Sequence, residues 1–113
     1  MKTAAADLPI WRSILFVPAT SQRFIDRAPS QAADALQIDL EDSVAPQDKE
    51  AARASVASIA RSFVNAGKDV IVRVNRPWRL LVRDLEAAVC ESVTAISLPR
   101  FPMLALLNRS PRC

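Results

Sequence analysis

Apolar residues occur in four short runs along the chain, and the segments between them repeat their apolar positions every three or four residues. Each short run ends near proline or a charged residue, which is typical of a buried strand. The predicted strands cover residues 12–18, 35–40, 69–75 and 94–99. The helical repeat predicts three helices, over residues 21–28, 47–66 and about 84–91.

The second predicted helix has the clearest pattern. Four apolar residues share one of its faces: Val56, Ile59, Ala60 and Phe63. Gly67, the only glycine of the sequence, stands where a C-terminal cap belongs. Lys49 and Arg53, four residues apart, are interpreted as solvated surface of this helix.

The third predicted helix is expected to begin at Asp84, because a carboxylate can cap the first turn. That start directs Leu85, Ala88 and Val89 toward the core. Trp78, which precedes the helix in this interpretation, is expected to be a packing residue.

Strands and helices that alternate in this way predict an α/β fold with a parallel sheet. Polar residues gather at the ends of the strands, where active sites of α/β barrels and open sheets lie. They are Glu41, Asp42, Arg73, Asn75 and Arg100. A barrel and an open doubly wound sheet both fit this pattern, although the sequence has no glycine-rich phosphate loop.

Composition narrows the classes of function. The 113 residues carry a formal net charge of +3, with both signs interleaved and no run of five basic residues. This argues against nucleic acid and is compatible with a small anionic ligand. The sequence has no histidine, which excludes histidine triads and histidine metal sites.

The cysteines and the hydropathy of the sequence indicate where in the cell the protein is expected. The two cysteines form neither a disulfide framework nor a zinc pattern, so a cytoplasmic location is predicted. No apolar stretch approaches the ~20 residues needed to span a bilayer. No membrane partner is therefore expected.

Four motifs together resemble the citrate lyase β-subunit and malyl-CoA lyase family of HpcH/HpaI aldolase-like CoA-ester lyases. The motifs are RSILFVPA at residues 12–19, the pair Arg23-Phe24, DLEDSVAP at residues 39–46 followed by Lys49 and Arg53, and VRVN at residues 72–75. The pairs at residues 84–85 and 98–100 follow in the family's order. The DLEDSVAP and VRVN strings, each at a strand end, are the specific part of the match.

The resemblance implies the N-terminal half of a (β/α)8 TIM barrel, with about four βα units. Residues 12–100 would form this partial lyase domain. Residues 1–11 would be a loose leader, and residues 101–113 a tail that does not resemble the family. The family binds Mg²⁺ through a Glu and an Asp on later strands, so no metal ligand is assigned here. A frameshift or early stop is the natural interpretation.

For the intact family protein, the resemblance implies a Mg²⁺-dependent carbon–carbon lyase. Its substrate would be a CoA or acyl-carrier thioester of the citryl, malyl or citramalyl type, and it would be a homo-oligomer. The chain alone is expected to be inactive. Two alternatives remain: a non-catalytic half-barrel that binds acyl-CoA or a partner subunit, and a non-functional truncated product.

The resemblance also assigns residues. Arg73 of VRVN would hold the substrate's carboxylate and carbonyl oxygens, as the planar guanidinium of arginine can. Glu41 and Asp42 would be catalytic residues near the metal and its waters, and Arg23 would meet the carrier's phosphates. The competing interpretations are a solvated strand-end charge for Arg73, helix-favouring acids for Glu41 and Asp42, and a helix-surface position for Arg23.

Overall fold

The computed structural model describes residues 9–99, in which strands and helices alternate as predicted. The elements are β1 (Ile14–Pro18), α1 (Gln22–Arg27), β2 (Ala35–Asp39), α2 (Lys49–Asn65), β3 (Asp69–Arg73), α3 (Trp78–Ala88) and β4 (Ala95–Ser97). Short 3-10 turns cover Ala28–Ser30 and Pro46–Asp48. The described range excludes residues 1–8 of the predicted leader, Arg100, and the predicted tail from residue 101 onward.

The four described strands form one parallel sheet in the order β1-β2-β3-β4, which confirms the predicted α/β class. In this register Asp39 lies opposite both Pro18 and Arg73, and Arg73 lies opposite Ser97. Within residues 9–99 the strand order never reverses, so the described sheet has no switch point of the kind that defines a doubly wound fold.

The hydrophobic core lies between the sheet and the helices. Because strand side chains alternate between faces, every second residue of β2 and β3 enters this core, including Leu36, Ile38, Val70 and Val72. The predicted apolar face of α2 is confirmed, since Val56, Ile59, Ala60 and Phe63 are all buried. Gly67 has a φ of +84°, which a C-terminal cap in the left-handed region requires.

The opposite face of the sheet is mixed in polarity. One row across the strands contains Phe16, Gln37, Ile71 and Ala95. Phe16 is 52% exposed, whereas Gln37 is buried, and within residues 9–99 its amide nitrogen Nε2 has no hydrogen-bond partner. Buried amides are nearly always paired, so Gln37 is an exception among the described residues.

The predicted start of the third helix was wrong. The helix α3 begins at Trp78, directly after Pro77, which is the N-cap and whose carbonyl oxygen accepts the first helical hydrogen bond from the N–H of Leu81 at 2.8 Å. Asp84 therefore lies inside α3, where it is buried and does not cap the helix. The shift also leaves Trp78 exposed, and it leaves Val89 exposed beyond the end of the helix.

The described residues include no helix that is long and apolar enough to cross a membrane.

Candidate active site

A cavity of about 510 Å³ opens at the carboxyl edge of the sheet. The loops after β2 and β3 supply most of its lining, which consists of Glu41, Asp42, Lys49, Arg73, Asn75, Arg76, Pro77, Leu80 and Pro99. Within the described part of the chain, three cationic and two acidic side chains thus border it. The fold therefore brings together three of the four site residues expected from the sequence: Glu41, Asp42 and Arg73.

Arg73 is held in place by a buried carboxylate. Its Nε and Nη2 atoms donate to the two oxygens of Asp39, each at 2.9 Å, and Asp39 is only 1% exposed. The guanidinium carbon also lies 5.0 Å from the ring centroid of Phe16, within cation–π range. None of the hydrogen bonds described for residues 9–99 uses Nη1 of Arg73, so the outer end of the guanidinium is available to a carboxylate in the cavity.

Asp39 also organises the loop after β2. Its Oδ1 accepts from the backbone N–H of Glu41 at 2.9 Å, and its Oδ2 accepts from the backbone and hydroxyl of Ser43 at 3.0 and 2.6 Å. Burial alone would raise the pKa of Asp39, but the hydrogen bonds from Arg73 and Ser43 outweigh it and lower this pKa to about 2. Asp39 was absent from the predicted site residues, although it belongs to the DLED string.

Glu41 has the opposite electrostatic environment. Burial, and next its hydrogen bond with the carboxyl of Asp42, raise the pKa of Glu41 above its ordinary value. The positive charge of Arg73, whose Nε lies 3.5 Å from Oε1 of Glu41, opposes this shift. A carboxyl group with a raised pKa is better suited to exchange a proton than an ordinary one.

The interpretation of Lys49 and Arg53 as solvated surface was wrong. Both lie on the first turns of α2, which face the edge of the sheet, and both are only partly exposed. Lys49 donates to oxygen atoms of the loop after β2 and to Asn75. Arg53 donates from Nε to Oδ1 of Asp84 at 2.9 Å, in a pair whose side chains are 12% and 1% exposed.

Arg23 is not brought into this cavity. It lies on the exposed side of α1 and is absent from the cavity lining. Its expected contact with the phosphates of a thioester carrier stays a prediction.

The described residues do not by themselves form a metal site. Among residues 9–99, no group of three or more Asp, Glu, Cys or His side chains is arranged to hold a metal ion. The oxygens of Asp39 are occupied by the hydrogen bonds given above. Among the described residues that line the cavity, only Glu41 and Asp42 remain as acids.

The described part of the chain is thus an α/β sheet with a cationic, carboxylate-bearing cavity at its carboxyl edge. The family model "HpcH/HpaI aldolase/citrate lyase" matches residues 12–105. The chain belongs to this family.

Individual relatives agree with this assignment. The chain is 38% identical over 92 residues to the citrate lyase subunit beta of Escherichia coli K12, which covers 79% of this chain and 30% of that protein. It is 36% identical over 101 residues to a (3S)-malyl-CoA thioesterase of Cereibacter sphaeroides, covering 87% of this chain and 35% of the relative. The chain thus spans about a third of the length of these curated relatives.

The solved structure of RipC from Yersinia pestis is similar as well. Its TM-score with this chain is 0.52 at 32% sequence identity, and the match covers 87% of this chain and 40% of RipC.

Proposed function

We propose that this segment supplies the N-terminal part of the active site of a carbon–carbon lyase. The substrate would be a CoA or acyl-carrier thioester of the citryl, malyl or citramalyl type, with a free carboxylate beside the bond that breaks. Membership of a family that contains citrate lyase β-subunits supports the reaction class. The geometry of Arg73 supports the recognition of a carboxylate.

One observation carries the proposal. The inner edge of the Arg73 guanidinium is bound to the buried Asp39 carboxylate, and its outer end borders the cavity. Two parallel N–H groups, one on Nη1 and one on Nη2, therefore remain for the two oxygens of a ligand carboxylate. Asp39 orients the guanidinium before any ligand arrives, which reduces the entropic cost of binding.

The reaction breaks the bond between the hydroxyl-bearing carbon and the carbon next to the thioester carbonyl. The hydroxyl proton passes to a base, and the hydroxyl-bearing carbon becomes a carbonyl. The electron pair of the broken bond passes into the thioester as an enolate, whose carbon then accepts a proton. Arg73 would bind and orient the carboxylate, and Glu41 and Asp42 would border the reacting groups. The raised pKa of Glu41 suits a residue that exchanges a proton there.

Mg²⁺ is part of the proposal for the whole family protein. A bound divalent metal would polarise the carbonyl and stabilise negative charge on oxygen. Since residues 9–99 do not contain a complete ligand set, we assign none of them as a metal ligand.

The wider assembly is proposed on the same basis. The consecutive strand order, and the buried amide of Gln37 on the helix-free face, support a sheet that continues into a (β/α)8 barrel. We also propose that the whole protein is a cytoplasmic homo-oligomer. Arg23 would then lie near the phosphates of the thioester carrier.

A second candidate is hydrolysis of the thioester, because one similar relative is named a (3S)-malyl-CoA thioesterase. Both reactions need the same carboxylate-bearing acyl-CoA but differ in their products. Lyase cleavage of malyl-CoA yields glyoxylate and acetyl-CoA, whereas hydrolysis yields malate and free CoA. Product analysis therefore separates them.

The proposal is tested by replacing Arg73 with lysine. Lysine keeps the charge but loses the planar fork, and hydrogen bonds to charged groups contribute ~1.5–3 kcal/mol. In a full-length family protein into which residues 12–100 are transplanted, Arg73→Lys should lower kcat/KM for malyl-CoA or citryl-thioester cleavage at least ~10-fold. In the 113-residue chain, it should weaken glyoxylate binding by a similar factor.

Arg61→Lys is the matched control, because Arg61 is exposed on α2 and lies outside the cavity lining. It should leave glyoxylate affinity and kcat/KM unchanged. The proposal is wrong if Arg73→Lys remains folded and keeps the kcat/KM and affinity of the parent.

A further inference from the structure

Lys49 borders the cavity, yet its ammonium group is fully occupied by the protein. It donates to the backbone oxygen of Leu40 at 3.0 Å, to that of Glu41 at 2.9 Å and to Oδ1 of Asn75 at 2.8 Å. A lysine ammonium has three N–H groups and no acceptor. The three contacts therefore leave Lys49 without an N–H group for a ligand.

The neighbouring residues fix the direction of these contacts. The side-chain nitrogen Nδ2 of Asn75 donates to Oδ2 of Asp84 at 2.6 Å and to the backbone oxygen of Leu40 at 2.8 Å. This arrangement turns Oδ1 of Asn75 toward Lys49. Asp84 is held in turn by the backbone N–H of Asn75 at 2.8 Å and by Arg53 at 2.9 Å. A continuous hydrogen-bonded network thus joins α2 and α3 to the loops that follow β2 and β3.

Both polar backbone groups of Glu41 are therefore bound by charged side chains. Its N–H donates to the carboxylate of Asp39, and its carbonyl oxygen accepts from the ammonium of Lys49. Because these contacts restrain the backbone on both sides of the Cα atom, they restrict the direction in which the Glu41 side chain leaves the loop.

We propose that Lys49 is a positioning residue, which holds Glu41 at the cavity by binding the loop after β2 to Asn75, just beyond the end of β3. The importance of Glu41 rests on the proposed function, whereas the clamp itself rests on the contacts above. Lys49 is accordingly not a substrate-binding cation, despite its place in the cavity lining.

The chain offers a matched control at Lys68. This lysine also donates to two backbone oxygens, those of Gln31 and Ala33, each at 2.7 Å. None of these three residues belongs to the cavity lining. Replacing Lys68 therefore removes the same kind of interaction at a distance from the candidate site.

The experiment compares Lys49→Met, Lys49→Arg and Lys68→Met in the 113-residue chain. Amide hydrogen exchange, followed by NMR, should show that Lys49→Met lowers the protection of Glu41 and Ser43 at least ~10-fold relative to the amides of β3, since hydrogen bonds to a charged group are lost. Lys49→Arg should likewise show low protection of Glu41 and Ser43, because a planar guanidinium cannot reproduce the three tetrahedral N–H directions of an ammonium group. Lys68→Met should leave the protection of Glu41 and Ser43 unchanged relative to β3.

A ligand readout separates positioning from general stability. Glyoxylate affinity should fall at least ~5-fold in Lys49→Met, since the loop that borders the bound carboxylate is released, and should stay at the parent value in Lys68→Met. If glyoxylate does not bind the parent chain, this result counts against the proposed function, and the exchange data still decide whether the clamp exists.

Two outcomes of the variant experiments would overturn the proposal. One is that Lys49→Met does not lower the protection of Glu41 and Ser43 relative to β3, either because their protection is unchanged or because it is lost uniformly over the whole sheet. The other is full recovery of protection and affinity in Lys49→Arg, which indicates that charge alone suffices. If Lys49→Met does not fold, the test uses the parent chain. A clamped Lys49 ammonium should exchange its protons with water slowly enough to give a 1H–15N NMR signal. Rapid exchange, with no such signal, refutes the clamp.

Discussion

At the scale of single residues, Asp39 determines the geometry of the candidate site. It is almost fully buried, and its two oxygens accept hydrogen bonds from Arg73, Ser43 and the backbone of Glu41. The same carboxylate therefore orients the candidate substrate-binding guanidinium and shapes the loop that carries the candidate acids. Arg73 is consequently part of the fold as well as a candidate substrate-binding residue.

This environment predicts an acid-sensitive contribution to stability. The pKa of Asp39 is lowered from 3.8 to about 2 in the folded chain, so unfolding at low pH takes up a proton. The contribution is fully present above about pH 4 and is lost as the pH falls through about 2, and it amounts to about 2 kcal/mol. Urea unfolding of the parent and of Asp39→Asn, measured from pH 7 to pH 2, should show a steeper acid loss for the parent. Parallel curves would contradict the assignment.

The sequence could identify the residue types of the site but not all of its contacts. The DLED and VRVN strings were sufficient to predict Glu41, Asp42 and Arg73 as neighbours, because the ends of parallel strands meet at one edge. The bond between Asp39 and Arg73 depends on the register that places these two residues opposite each other. A register between residues 34 positions apart is a tertiary property, which local pattern does not encode.

At the scale of elements, the sequence predicts the buried face of α2 correctly but places the start of α3 wrongly. The apolar face of α2 was predicted correctly because its repeat extends over several turns and ends at Gly67. The start of α3 was misplaced because Asp84 was judged by its capping propensity. Its partners, Arg53 and Asn75, come from other parts of the chain. These tertiary contacts outweigh the preference of Asp for a helix N-cap.

A substitution that favours helix capping distinguishes these two roles of Asp84. Serine caps helices well, so Asp84→Ser would be tolerated if Asp84 were a cap. Because the structure buries Asp84 against Arg53, we expect this change to reduce the free energy of unfolding by about 3–5 kcal/mol, as for other broken buried ion pairs. Denaturant unfolding followed by circular dichroism measures this loss.

Asp48→Ser provides the matched control. Asp48 stands at the N-cap of α2, is exposed and makes no side-chain capping bond. The change should stay within about 0.5 kcal/mol of the parent, as surface substitutions usually do. Equal losses for Asp84→Ser and Asp48→Ser would mean that the buried network contributes little.

At the scale of the whole molecule, the helices cover only one face of the described sheet. Within residues 9–99, β1 pairs with β2 alone, and Ile14, Phe16 and Phe24 are exposed on or beside this strand. An edge strand with exposed apolar side chains is a template for pairing with another chain. In a closed barrel the same surface would be covered by further strands.

We therefore expect the 113-residue chain to self-associate through β1. Lysine on an edge strand opposes such pairing, so Ile14→Lys should shift sedimentation velocity profiles toward smaller species at micromolar concentrations. Val82→Lys is the matched control, because Val82 on α3 is 41% exposed and Ile14 is 42% exposed, yet Val82 lies away from the strand edge. The control should leave the profile of the parent unchanged. A parent that remains monomeric at every concentration, or an equal effect of the two lysines, would show that the β1 edge does not drive association.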